Sequence, residues 1–143
     1  MQKNANPADD SAFTAPTAKV LVADDVDLNL MVAEGMLIPY EMQIDLCESG
    51  EQSPEMILNG DYDLVFLDHF MPDLDGIKIA RRVRSQSGFA ALPLVAPTAN
   101  TGSGVRDMYL QSGFNDFLSK PIDPAALGNI LEKWLPPDKQ VNT

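Results

Sequence analysis

Short apolar runs, each ending in polar residues and each followed by a helical period, recur five times between Lys19 and Leu135. Val20–Ala23, Leu64–Leu67 and Leu92–Ala96 are apolar without a break, the pattern of strands covered on both faces. Met42–Cys47 alternates, as an edge strand does, and Asp116–Ser119 is a short fifth strand. Between them Leu28, Met31, Val32 and Gly35 recur at i, i+3, i+4, i+7, and Ile77, Ala80 and Val83 line up on a third helical segment. Leu127, Ile130, Leu131 and Trp134 do so on the last, with Asp123 as N-cap, Pro124 at N1 and Pro136-Pro137 as the stop. Ser53 is a candidate cap for the second helix, and "TGSG" after Asn100 is a weak start for the fourth. Alternating β and α units of this kind predict an α/β domain, a parallel sheet wound by helices on both faces. The expected boundaries are a flexible tail or linker over 1–17, one domain over 18–136 and a C-terminal tail over 137–143.

Ligands of such sheets bind beyond the carboxyl ends of the strands. Asp24 and Asp25 end the first predicted strand, Cys47-Glu48 the second, Asp68 the third, Thr98 the fourth and Lys120 the fifth. Three carboxylates, a hydroxyl and an amine therefore converge on one rim, where Asp68 is expected to stay unburied. Carboxylates held together repel unless a cation neutralises them, and Mg2+ is commonly held by one or two carboxylates with phosphate oxygens. An Asp carboxylate is also a nucleophile able to form an aspartyl-phosphate, and phosphoryl transfer needs the charge on its equatorial oxygens stabilised. His69, the only histidine, has no metal-ligand partner at a useful spacing and is expected in packing or solvent. Lys78 to Arg84 is read as the solvated face of the third helix. Asp73-Leu74-Asp75-Gly76 fails as a calcium loop, since the loop's first position would be Met71 and its closing acid Arg82; it reads as a turn opening that helix.

The chain has 143 residues, 45% of them apolar, enough for one domain with a real core. No stretch reaches the roughly 18 uninterrupted apolar residues of a membrane span, and the start lacks the pattern of a secretory signal. Cys47 is the only cysteine, so no internal disulfide forms, which suits a cytoplasmic location. The net charge of −11 disfavours direct nucleic-acid binding.

"VLVADD", "LVFLDHFMPDLDG", "PTA" and "FLSKPID", in that order, resemble the receiver domain of two-component response regulators over Lys19 to Leu135. The 30 positions from Asp68 to Thr98 and the 22 from Thr98 to Lys120 are those expected of that family. The resemblance implies a flavodoxin-like (βα)5 fold with strand order 2-1-3-4-5. It implies that Asp68 accepts a phosphoryl group from a phosphohistidine on a histidine kinase or histidine phosphotransfer protein, as a signalling switch that catalyses only its own phosphorylation and dephosphorylation. Asp25 and Asp68 are implied Mg2+ ligands, with Asp24 acting mainly through water and Phe70 through its backbone carbonyl. Thr98 and Lys120 are implied phosphoryl-oxygen ligands, Phe117 the aromatic switch that turns inward as Thr98 moves, and Lys120-Pro121 a cis peptide. The face of the fourth helix, fifth strand and fifth helix is a common dimer surface in similar proteins.

Two departures stand out. Pro97 removes a backbone donor just before Thr98, and Phe70 is bulky at a position that, in such proteins, influences acyl-phosphate hydrolysis. Phe70 is expected to limit water's approach, and "TGSG" to give a mobile switch face. No effector module is expected after Leu135, which would leave a stand-alone regulator or the receiver of a hybrid sensor kinase; the linker-like start and the "SKPIDPAALGNILEKWLP" end favour the second, with the domain expected to be tethered to a membrane-bound kinase. Two rivals remain: a phosphate-independent pseudo-receiver scaffold, and an aspartate-nucleophile phosphatase, whose second Asp would stand where Phe70 does.

Overall fold

A computed structural model of the chain describes residues 13–71, 73–99, 102 and 104–142. The elements in chain order are β1 (Phe13–Thr14), β2 (Lys19–Ala23), α1 (Asp27–Leu37), β3 (Gln43–Cys47), α2 (Ser53–Asn59), β4 (Leu64–Leu67), α3 (Gly76–Arg84), β5 (Leu94–Thr98), α4 (Val105–Gln111), β6 (Asp116–Ser119), α5 (Pro124–Trp134) and β7 (Val141–Asn142). Five strands form one parallel sheet in the order β3-β2-β4-β5-β6. Counting only these strands, that is the expected order 2-1-3-4-5, with β3 at the edge.

Because successive side chains of a strand point to opposite faces, each central strand feeds two cores. Val20, Val22, Leu64, Phe66, Val95 and Leu118 pack under α1 and α5. Leu21, Ala23, Val65, Leu67, Leu94 and Ala96 pack under α2, α3 and α4. Burying both faces is what made these segments continuous apolar runs in the sequence.

Several local expectations change. The Leu28, Met31, Val32 and Gly35 stripe of α1 faces solvent; Leu30, Ala33 and Leu37 are the buried set. Ser53 is the first residue of α2 rather than its cap, and its hydroxyl donates to the Ser49 carbonyl at 2.8 Å. Asp123 does cap α5, accepting from the Ala126 N–H at 2.9 Å. Arg84 leaves the solvated face of α3: it donates to the carbonyls of Gly113 and Phe89 and to Asn115 Oδ1. Pro97 costs no ladder bond toward β4, because the β4–β5 pairs end at Phe66 and Val95.

The ends of the chain depart from the tail reading. Residues 1–12 lie outside the described residues, but Phe13 and Ala15 are buried in the α1/α5 core. β1 pairs antiparallel with β7, so the segments on either side of the central domain meet. Lys139 also reaches back to Asp63 at 2.9 Å.

Candidate functional site

The strand register assembles the site. Ala23 pairs with both Cys47 and Leu67, and the Asp68 N–H donates to the Ala23 carbonyl at 3.0 Å. Asp24 and Asp68 are therefore the next residues out on adjacent strands. On the other side, Thr98 pairs with Ser119 and its carbonyl accepts from the Lys120 N–H at 2.9 Å. Apolar β-branched and leucine side chains drive the strands into the core, and each chain emerges at the same edge on a polar residue.

One carboxylate oxygen from each of Asp24, Asp25 and Asp68 lies within 4.8 Å of the others. Lys120 Nζ sits 3.1 Å from Asp24 Oδ2 and 3.6 Å from Asp68 Oδ2. Asp68 is only 4% exposed, as is Asp24, which corrects the expectation of an unburied rim carboxylate. The cause is the chain on either side: Phe70 folds its N–H back to Asp68 Oδ1 at 3.3 Å. Gly76 N–H bonds the His69 carbonyl at 2.9 Å, and a side chain at Gly76 would strike the Asp68 carbonyl. Burial, together with the charges of Asp24 and Asp25, raises the Asp68 carboxyl above its ordinary value, while Lys120 and the Phe70 N–H pull it back.

Asp24 is held from three directions: the Val26 N–H at 2.9 Å, the Asn29 amide at 3.2 Å and Lys120. Asn29 is a support that sequence reasoning missed; its place five residues after Asp24, at the start of a helix, was the available signal. Across the site, Asp73 gathers Ser49 Oγ and the N–H groups of Gly50 and Glu51. These bonds hold its carboxyl below the ordinary range and lock the loop after β3 onto the loop after β4. Asp75 caps α3 by accepting from the Ile77 N–H at 2.7 Å, as the turn reading expected.

Thr98 is buried and accepts a hydrogen bond from the Tyr109 hydroxyl at 3.1 Å. Tyr109 also bonds His69 Nδ1 at 3.0 Å. His69 is thus packed, as expected, but carries a polar link the sequence did not reveal. Burial raises the Tyr109 phenol above its ordinary value. Phe117 is half-buried, its ring stacked on that of Tyr109 at 6.3 Å. Phe70 is 58% exposed with its ring stacked on His69 at 4.0 Å. Lys120-Pro121 is cis. Thr101 and Ser103, and with them half of the expected mobile "TGSG" segment, lie outside the described residues.

The donor set fits a hard divalent cation. Three carboxylates face one ammonium, so two negative charges stay uncompensated in a partly buried pocket. An all-oxygen donor set of this charge is the kind Mg2+ takes.

The sequence profile described as "Response regulator receiver domain" matches residues 20–132. Among curated proteins, the chain is 35% identical over 137 residues to the aerobic respiration control sensor protein ArcB of Escherichia coli, covering 94% of this chain and 18% of that protein. It is 36% identical over 122 residues to hybrid signal transduction histidine kinase L of Dictyostelium discoideum, covering 81% and 7%. The chain thus spans less than a fifth of these relatives. Among solved structures, the receiver domain of sensor histidine kinase PA1611 from Pseudomonas aeruginosa, with a magnesium ion in its active site cleft, matches with a TM-score of 0.76 at 34% identity, covering 82% of this chain and 97% of that one. The co-crystal of the Saccharomyces cerevisiae phosphotransfer protein Ypd1 with the receiver domain of Ssk1 matches with a TM-score of 0.76 at 26% identity, covering 85% and 90%. By profile, sequence and fold, this chain belongs to the response regulator receiver domain family.

Proposed function

We propose that the domain takes a phosphoryl group from a phosphohistidine onto Asp68 and, by doing so, switches the face formed by α4, β6 and α5. The observation that carries this reading is the meeting of Asp24, Asp25 and Asp68 within 4.8 Å, with Lys120 on two of them. An Asp68 carboxylate oxygen forms the new bond to phosphorus as the P–N bond breaks, and the bond's electron pair returns to the donor imidazole, which takes up a proton. Lys120, 3.6 Å from Asp68, offsets charge on the phosphoryl oxygens, and Thr98 donates its hydroxyl to one of them. Asp25 and Asp68, with the Phe70 carbonyl, would hold Mg2+ directly and Asp24 through water; the ion would supply further charge compensation to the phosphoryl oxygens. The magnesium in the PA1611 receiver supports this choice of ion.

The donor is a histidine kinase or a histidine phosphotransfer protein, a pairing supported by the Ypd1 complex of a similar receiver. It has to reach Asp68 past α1, where Leu28 and Met31 are 65% and 66% exposed and Val26 follows Asp25 directly. That apolar stripe beside the acceptor is a docking surface for the donor. The domain acts on no other substrate; its chemistry is its own phosphorylation and dephosphorylation. No helix among the described residues is long and apolar enough to cross a membrane, and we place the domain in the cytoplasm as part of a hybrid kinase.

Incubation with Mg2+ and acetyl phosphate tests the reading by intact mass. One phosphoryl adduct, absent in Asp68→Asn and absent with EDTA, is the expected result. Turnover of acetyl phosphate with no adduct would make the protein a phosphatase, and no reaction would make it a scaffold.

A further inference from the structure

Thr98 and His69, the residue after Asp68, both bond a group that the phosphotransfer chemistry does not use. Tyr109 lies on α4, 11 positions from Thr98 and 40 from His69, and is fully buried. Its hydroxyl meets Thr98 Oγ1 at 3.1 Å and His69 Nδ1 at 3.0 Å. We propose that Tyr109 is a positioning residue for Thr98, and that the His69–Tyr109–Thr98 chain carries any displacement of Thr98 directly into helix α4. The proposal rests on Asp68 being the phosphoryl acceptor.

Proton counting sets the direction of the chain. A phenol has one proton to give. Tyr109 gives it to Thr98, so its oxygen accepts from an N–H at His69 Nδ1, while Nε2 stands 3.6 Å from Asp75 Oδ1. Thr98 takes this bond on a lone pair of Oγ1, so the bond fixes where that oxygen stands. Tyr109 therefore positions the Thr98 hydroxyl.

Packing turns the bond into a lever. The Tyr109 ring meets His69 and Phe114 edge-on, each at 5.4 Å, and lies against Phe117. A ring enclosed in this way cannot follow Thr98 by rotating alone, because a close-packed interior transmits displacement; the helix that carries it moves too. His69 is the residue after Asp68, so the far end of the chain is anchored in the acceptor loop itself. The stack with Phe117 means that an inward turn of that ring slides against Tyr109.

Two measurements on the isotope-labelled full chain test this. In the first, amide shifts are recorded with Mg2+ and beryllofluoride as a phosphoryl stand-in. In the wild type, changes run from Asp68 and Thr98 into Val105–Gln111. In Tyr109→Phe, which keeps the ring, they persist at Asp68 and Thr98 but fall at least twofold along α4; an undiminished α4 response overturns the proposal. In the second, imidazole nitrogen shifts are read in the resting protein without beryllofluoride. A proton is expected on Nδ1 in the wild type. In Thr98→Val the Tyr109 proton turns to His69 and Nδ1 becomes an unprotonated acceptor; a proton kept on Nδ1 overturns the chain. If the wild type shows no beryllofluoride response at Asp68, the acceptor reading fails, and the tautomer still decides the Tyr109 link, also where Tyr109→Phe does not fold.

Discussion

At the scale of single residues, the acceptor carboxylate is kept under tension by its neighbours. Burial and the charges of Asp24 and Asp25 raise Asp68 above its ordinary value of 3.8. Between that value and the raised one, the folded state binds more protons than the unfolded chain, so stability falls as pH rises through this window. Asp68→Asn removes the charge. Without Mg2+, its melting temperature is expected to exceed that of the wild type at about pH 7, with the gap narrowing as pH falls toward the ordinary value of 3.8 and the raised wild-type carboxyl takes up its proton. A gap that stays constant over that range contradicts the burial argument. Phe70 acts on the next step. Its exposed ring is drawn onto His69 beside the acceptor, and Phe70→Asn replaces that apolar cover with an amide that can orient water. Phosphoryl loss from Asp68 should then be several-fold faster, measured as decay of the adduct; an unchanged or slower decay refutes the shielding role. The five candidate site residues were readable in the sequence because each stands at or just beyond the end of a strand, and strand ends of a parallel sheet share one edge. Burial of Asp68 was not readable, since it depends on how the loop through Gly76 folds back.

At the scale of elements, the strands were legible and one helix face was not. Both-face burial leaves a continuous apolar run that nothing else in so short a segment mimics. A helix bears only periodicity, and α1 carries two apolar sets: Leu30, Ala33 and Leu37 face the core, whereas Leu28, Met31 and Val32 face solvent at spacings that fit a core stripe equally well. Only the sheet's position tells them apart. The outer set gives a prediction of its own. Replacing Leu28 and Met31 with Lys should leave the fold and the reaction with acetyl phosphate unchanged, because neither side chain is buried. The same double variant should slow transfer from a phosphohistidine-bearing partner by about tenfold, the equivalent of about 1.4 kcal/mol of docking energy. Equal loss with both donors would instead indicate damage to the acceptor site. Helix α4 hid its contribution differently: Tyr109 has its partners 11 and 40 positions away, beyond the reach of any local pattern.

At the scale of the whole molecule, the doubly wound sheet places chemistry at one end and the segments around Phe13 and Lys139 at the other. Phe13 packs on Tyr40 with ring centroids 5.2 Å apart, and the Ala15 N–H bonds the Tyr40 carbonyl at 2.7 Å. Asp63, just before β4, accepts from the Lys19 N–H at the start of β2 and from Lys139. Gln140 ties to the carbonyls of Glu132 and Leu135 at the end of α5. These contacts lie at the amino ends of the parallel strands, opposite Asp68. They were illegible in the sequence because two-residue strands carry no period, and one buried aromatic in a run of Ala, Thr and Pro has no pattern around it. The separation predicts that stability and chemistry divide cleanly. Phe13→Ala leaves a cavity against Tyr40 and should cost about 3 kcal/mol, the low end for a buried phenylalanine because the site borders the surface. Denaturant unfolding would show this as a lower midpoint with an unchanged slope. Under conditions where the variant is still folded, its Mg2+ affinity and its rate of phosphorylation by acetyl phosphate should equal those of the wild type. A loss of Mg2+ affinity in the folded variant would mean that the clasp between the two ends is coupled across the sheet to the carboxylates.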